Sequence, residues 1–175
     1  MALLPINTRQ RPRTPQFGAI LRRASDLIGD QGSDVFDRLG IPFDGRKTSI
    51  LLTLHGHGPL PSTEIAAHIG HSRQLVEARL KQLVAEEFLI NYGDPEDVRR
   101  RLYDFAEQSR PTVQRVVAVM AEFEAVYVAL WQEVGVDIEK ALLAMEAAIR
   151  RRSLTDRLLE QSPEQAAQAV EYQYD

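Results

Sequence analysis

The stretch from Pro61 to Phe105 leaves the chain little freedom of fold. Ile65, Ala66 and Ile69 share one face of a short helical segment that opens at Pro61-Ser62 and stops at Gly70. Ser72 then offers an N-cap to a second segment, in which Val76, Leu80 and Leu83 recur at helical spacing. Ala66 lets the second helix approach closely, Gly70 accepts the left-handed conformation of a tight turn, and β-branched Val76 locks the pair. After Glu87 the pattern changes to two short β-prone runs, Phe88-Leu89-Ile90-Asn91-Tyr92 and Arg101-Leu102-Tyr103-Asp104-Phe105. Gly93-Asp94-Pro95 between them is turn chemistry. Two helices at this spacing, followed at once by a hairpin with an Arg-rich return strand, predict a mainly α fold: a winged helix-turn-helix with a small β-hairpin wing.

Long helices flank this centre. Phe17, Ile20, Leu21, Ala24, Leu27 and Ile28 have helical period, and Val35, Phe36 and Leu39 resume the same phase. Gly29 and Gly32 therefore bend one helix rather than end it, and Gly40-Ile41-Pro42 stops it. Asp44 offers an N-cap to a helix carrying Ile50, Leu51, Leu52 and Leu54, which Gly56 and Gly58-Pro59 close. From about Pro111, Val113, Val116, Met120, Phe123, Tyr127, Leu130, Trp131 and Val134 define a long amphipathic helix. Gly135 interrupts it, and a last helix with Ile138, Leu142, Met145 and Ile149 extends to Leu158-Leu159. The expected organisation is a flexible basic arm over 1–15, a dimerisation helix over 16–43 and the winged helix-turn-helix over 44–106. C-terminal dimerisation helices over 107–161 and a polar tail over 162–175 complete it. The terminal helices carry more apolar surface than one small domain can cover. Each large aliphatic side chain left wet forgoes roughly 1.5–3 kcal/mol, so a second copy of the chain is the expected partner.

Composition removes several classes of function. The 175 residues include no cysteine, which excludes disulfides, thiolate metal sites and cysteine redox switching. The longest uncharged stretch, Thr48 to Thr63, holds two His, two Gly and two Pro and cannot span a bilayer. The first residues, MALLPINTRQRPR, have too short an apolar run for a signal peptide, so the expected location is the cytoplasm, without a membrane partner. The net charge of −4 is unevenly spread: residues 1–121 balance at +2 and residues 122–175 at −6. Catalysis finds no support in a nucleophile elbow, a glycine-rich phosphate loop or a His-Glu-x-x-His motif, and no cofactor is implied.

From about Phe17 to Leu154 the chain resembles the MarR family of bacterial transcription regulators. The most specific part is Asp94-Pro95-Glu96-Asp97-Val98-Arg99-Arg100, similar to the family's wing signature D-P-x-D-x-R. His57-Gly58-Pro59-Leu60 and Glu64-Ile65-Ala66-Ala67-His68-Ile69-Gly70 resemble the approach to its recognition helix, and Phe105-Ala106-Glu107 stands where the family has Leu-Thr-Glu. Val98 departs from a frequent Arg, Glu87 from a usual Gly and Ala106 from a usual Thr. The resemblance implies a homodimeric repressor on a pseudo-palindromic double-stranded operator. It also implies a small aromatic or anionic effector bound between dimer helices and winged domain, where Arg22, Arg46 and His55 are placed to line a crevice.

If Ser72 caps the second helix, Arg73, Gln74, Glu77 and Lys81 form a polar stripe opposite the Val76/Leu80/Leu83 core. Arg73 can hold guanine and Gln74 adenine in bidentate fashion, Ser72 and the helix amino end suit a phosphate, and Lys81 suits the backbone. Arg99 and Arg100 can reach a flanking minor groove, with Asp97 orienting Arg99 through a charge-assisted bond. Two other readings stay open. A dimeric helical adaptor that keeps the winged fold without reading DNA would explain the acidic balance and Glu77 within the stripe. A metal sensor would use His55, His57, His68 and His71, although capping and surface roles also account for all four.

Overall fold

The computed structural model describes residues 16–97 and 99–162. The expected basic arm, Val98 of the wing and all of the expected tail but Ser162 lie outside the described residues. In order, the chain forms α1 (Phe17–Arg38), α2 (Thr48–His57), β1 (Leu60–Pro61), α3 (Ser62–Ile69), α4 (Arg73–Ala85), β2 (Leu89–Gly93), β3 (Arg101–Phe105), α5 (Arg110–Val134), α6 (Ile138–Arg151) and α7 (Leu154–Gln161). Two compact units divide after Met120, within α5. The fold is mainly helical, with one small antiparallel sheet.

In the first unit α1 runs unbroken through Gly29 and Gly32. These glycines also serve a close approach. A short 3-10 turn at Gly45–Lys47 lies so near α1 that a Cβ on Gly45 would stand 2.7 Å from the Ser33 backbone nitrogen and 3.0 Å from the Gly29 carbonyl oxygen. Ser33 Oγ accepts the Gly45 N–H at 2.9 Å and donates to Asp44 Oδ1 at 3.2 Å. Asp44 caps this turn, its carboxylate accepting the Arg46 N–H at 3.0 Å, and α2 follows from Thr48. The expected N-cap is thus real, but it serves the turn that leads into the helix.

Two helix ends share one design. At the end of α1 the Gly40 N–H donates to the Asp37 carbonyl and the Ile41 N–H to that of Phe36, with Gly40 at φ +60°. At the end of α4 the Glu87 N–H donates to the Val84 carbonyl and the Phe88 N–H to that of Leu83, with Glu87 at φ +54°. Both are Schellman closures, which turn the chain through a left-handed residue and bring an apolar one back onto the helix. The second explains why a glycine is usual where this chain has Glu87. Arg115 adds a further cap, donating to the Leu39 and Gly40 carbonyls at 2.7 and 3.0 Å.

The core gathers Phe36, Ile41 and Phe43 from the end of α1 and its loop, Ile50, Leu51 and Leu54 from α2, and Ile65 from α3. Val76, Leu80 and Leu83 of α4, Phe88 and Leu89, Phe105, and Val113 and Val116 of α5 complete it. In the sheet β3 is central: Leu89 pairs with Phe105 and Tyr92 with Leu102 in the hairpin, while Leu60 pairs with Tyr103 in β1. Strand β1 is an addition to the expected hairpin. Two residues long and closed by a proline, it is an edge strand that a periodicity argument cannot see.

In the second unit Gly135, at φ +76°, ends α5, and Asp137 caps α6 by accepting the Lys140 N–H at 2.9 Å. The single last helix expected from the sequence is two. Ser153 and Asp156 form a reciprocal capping box that opens α7, and Arg157 donates to the Ala148 carbonyl at 3.0 Å, closing α6. Neither α6 nor α7 buries a residue.

Three substitutions test this account by urea denaturation. Gly45→Ala should cost about 1–3 kcal/mol, because backbone rather than a flexible side chain must yield. Gly18→Ala, where nothing lies within 4 Å of the added carbon, should instead gain roughly 0.5 kcal/mol. Glu87→Gly should stabilise by about 0.5–1 kcal/mol by relieving a left-handed residue that carries a Cβ.

Candidate nucleic-acid interface

The α3–turn–α4 pair presents one end to solvent. Gly70, at φ +66°, turns the chain, and Ser72 caps α4 with its Oγ accepting the Leu75 N–H at 3.3 Å. Val76, Leu80 and Leu83 face the core, so the opposite side of α4 is necessarily outward. Arg73, Gln74 and Lys81 are exposed there, with Ala78 between them, and Glu77 is half-buried. An exposed Leu75 adds an apolar element to the first turn that the polar stripe does not anticipate.

Glu77 is not an isolated solvated charge. Arg73 Nε donates to Glu77 Oε1 at 2.8 Å, and Ser62 Oγ, at the start of α3, approaches the same oxygen at 3.4 Å. The Arg73 hydrogen bond above all, helped by the charges of Arg73 and Lys81 and opposed by desolvation, holds the Glu77 carboxyl below its ordinary pKa. The base of α4 is fixed from behind. Lys47, buried at the entrance to α2, donates to both oxygens of Glu86 at 2.6 and 2.9 Å, tying α2 to the end of α4.

The wing loop closes on itself: the Asp94 N–H donates to the Arg100 carbonyl at 3.0 Å and the Arg100 N–H to that of Asp97 at 2.8 Å. In place of the charge-assisted bond to the Arg99 guanidinium that the sequence suggests, Asp97 Oδ1 accepts the Arg99 backbone N–H at 3.0 Å. Asp97 shapes the loop and leaves the Arg99 side chain without an acid partner among the described residues. Arg100 differs. Its Nη2 lies 2.5 Å from Glu64 Oε1 of α3 and its Nε 3.7 Å from Asp94 Oδ2. Arg101 turns to Asn91 across the hairpin, Nη1 to Oδ1 at 2.5 Å. Glu64 and Asp94 are thus site residues that sequence reasoning passes over. Glu64 stands 36 positions from its partner, and no local spacing signals such a pair.

The histidines separate. His57 stacks on His68, ring centroids 4.2 Å apart. Among the described residues no three His, Asp or Glu side chains gather as a metal-holding group. His71 instead faces a cleft of about 290 Å³ between α1 and the winged region, lined also by Asp26, Arg46, Ser49 and Arg79. Desolvation, then the Arg79 charge, lowers the His71 pKa from its ordinary 6.5. Of the three residues placed in such a crevice by sequence, Arg46 lines this cleft and Arg22 and His55 do not.

Residues 46–100 match the model of the MarR family, a family of transcription regulators and not of enzymes. No curated protein matches the chain in sequence. Among solved structures, MepR of S. aureus in complex with DNA is similar with a TM-score of 0.62 and 17% identity, over 76% of this chain and 97% of that one. The transcriptional repressor CouR, bound to a 23-mer DNA duplex, is similar with a TM-score of 0.57 and 23% identity, over 81% and 99%. The PcaV transcriptional regulator from Streptomyces coelicolor, in complex with its natural ligand, is similar with a TM-score of 0.56 and 15% identity, over 89% and 99%. At these identities the likeness is one of fold. The chain is thus similar to the MarR family over residues 46–100 and shares a fold with these structures.

Proposed function

We propose that the protein is a homodimeric transcription repressor that reads a pseudo-palindromic operator in the cytoplasm and is released by a small anion. The observation that carries the reading is one surface: the exposed amino end of α4, with Arg73 and Gln74, beside a wing that offers Arg99. A helix amino end with Ser72 suits a phosphate, and Arg and Gln in its first turn suit base edges. MepR and CouR, similar in fold, are both seen on DNA. No helix among the described residues is long and apolar enough to cross a membrane.

The dimer is supported by apolar surface left wet. Phe17, Ile20, Leu27 and Ile28 of α1 are exposed, as are Val126, Leu130 and Val134 of α5. In α6 and α7, Leu143 is 60% and Leu154 65% exposed. Sheathing these stripes with a second copy gives the helices the burial that the single chain withholds. Two-fold symmetry then sets the two α4 helices about one DNA turn, roughly 10 base pairs, apart.

The effector reading rests on the cleft at His71. Arg79, His71 and Arg46 line it together with Asp26, and among the described residues Arg79 makes no ion pair while Arg46 pairs with Asp30. Burial and the Arg79 charge make His71 costly to protonate, and a carboxylate or phosphate seated beside both groups offsets that cost.

Sedimentation should show a dimer at micromolar concentration, and a fluorescence assay should show binding to random duplex at low salt. An adaptor that reads no DNA would fail the second. On the operator, Arg73→Ala or Gln74→Ala should cost about 1–3 kcal/mol and relax preference at one base pair per half-site. Arg99→Ala should weaken all sequences alike and reduce the salt slope by about one. Equal losses on every sequence for all three would remove the assigned roles.

A thermal-shift screen of aromatic and aliphatic acids should find compounds that stabilise the protein and dissociate operator, an effect that Arg79→Ala abolishes. The pH dependence has a definite sign. Free His71 resists protonation, and a bound anion restores its pKa. Binding therefore takes up a proton, and affinity should rise as pH falls from 7 through 6.5. His71→Asn should flatten that dependence.

A further inference from the structure

We propose that Arg100 is a positioning residue and not a DNA contact: paired with Glu64, it is a strut that sets the wing against α3 and so aims Arg99. The proposal rests on the DNA-binding reading above and adds a division of labour between neighbouring arginines.

Three observations carry it. First, the Arg100 guanidinium bridges two elements, reaching Glu64 of α3 at 2.5 Å and Asp94, where the wing loop leaves β2, at 3.7 Å. Second, its backbone is committed as well, since both its N–H and its carbonyl close the wing loop. Arg100 is therefore the point at which the loop is both knotted and anchored. Third, one of the two acids is held in place: the Asp94 side chain is only 12% exposed, and its Oδ1 accepts the Glu96 N–H at 2.9 Å.

Charge arithmetic points the same way. Salt-dependent DNA affinity comes from cations that displace condensed counterions. The group Arg100, Glu64 and Asp94 carries a formal charge of −1 and has no cation to spare. Turning Arg100 toward a phosphate would strand two carboxylates beside the polyanionic backbone, a like-charge arrangement that opposes docking. Arg99, one residue earlier, has no such obligation among the described residues. A contact residue and a strut thus sit side by side in the loop that leads into β3.

The experiment has one arm without DNA and one with it. Without DNA, Glu64→Gln should speed hydrogen exchange at the Asp94 and Arg100 amides several-fold and leave exchange in the α4 core unchanged. Unaltered exchange in the wing would overturn the strut, whatever the protein binds. With DNA, wild-type binding to random duplex at low salt is measured first; failure there removes the DNA-binding reading and leaves the exchange arm to judge the strut. Given binding, Arg100→Ala should lower affinity about three- to fivefold with an unchanged salt slope, whereas Arg99→Ala reduces the slope by about one. Arg100→Glu should lose about tenfold, and adding Glu64→Arg should restore affinity to within about threefold of wild type. A reduced slope for Arg100→Ala, or a charge-swapped pair no better than Arg100→Glu alone, would make Arg100 a phosphate contact and overturn the proposal.

Discussion

The winged unit is organised by a run of four phenylalanines. Phe36 meets Phe43 edge-on at 5.9 Å, Phe43 meets Phe88 at 5.0 Å, and Phe88 meets Phe105 edge-on at 6.3 Å. Edge-to-face pairs at such distances add about 0.5–1.5 kcal/mol each beyond the area they bury. Their placement matters more than their sum. Phe36 ends α1, Phe43 lies in the loop that leads to α2, Phe88 follows α4, and Phe105 ends β3. One apolar column therefore fixes the end of the recognition helix and the root of the wing against the end of α1. Both Schellman closures feed it, one returning the chain just after Phe36 and the other delivering Phe88. Glu87 tolerates a left-handed backbone because packing on either side demands that turn.

Electrostatics on the outer face follows a different logic from that of a simple basic patch. Arg73 is shared with Glu77, and Arg100 with Glu64 and Asp94. Each exposed pair contributes little to stability, on the order of 0–1 kcal/mol. Each also lowers the free positive charge that indiscriminate attraction to phosphate requires. A binder built this way gives up non-specific affinity, and its discrimination must come from contacts that replace a paired carboxylate with something as good. For Arg73 the bidentate edge of a guanine is such a replacement, which a lone phosphate oxygen is not. Under the proposed function, the acidic balance of the whole chain and the Glu in the middle of the stripe would serve specificity.

What was legible in the sequence was what depends on neighbours in the chain. The period of Val76, Leu80 and Leu83, the Ser72 cap, the Gly70 turn and the two β-prone runs are local signals, and each marks an element found in the structure. Contacts across distance carry no such signal. Strand β1 exists because β3 lies beside it, the Arg100–Glu64 pair because the wing folds back on α3, and the glycines of α1 because Gly45 comes to meet them. The division at Ser153 is an instructive omission. A Ser followed three positions later by Asp is a capping signal readable in the sequence, yet the apolar phase from Ile138 to Leu159 reads straight across it. Periodicity finds faces, and caps find ends.

The same close approach that hides from sequence gives the His71 cleft its mechanical meaning. Gly45 holds the entry to α2 against α1 with no room for a methyl group, so this edge of the cleft is tightly packed. The opposite wall, Arg79, belongs to α4 itself, and His71 to the turn that leads into it. In the proposed reading an anion held by both groups is seated on α4 and its lead-in turn, and it bears on the α1 side only through the other residues that line the cleft, Asp26 and Arg46 among them. Such a ligand can move an equilibrium only by its difference in affinity for the two arrangements, and reversing a 99:1 preference takes about 5.5 kcal/mol. A charge-assisted bond to Arg79 and another to protonated His71, at about 1.5–3 kcal/mol each, approach that figure if both are made in one arrangement alone.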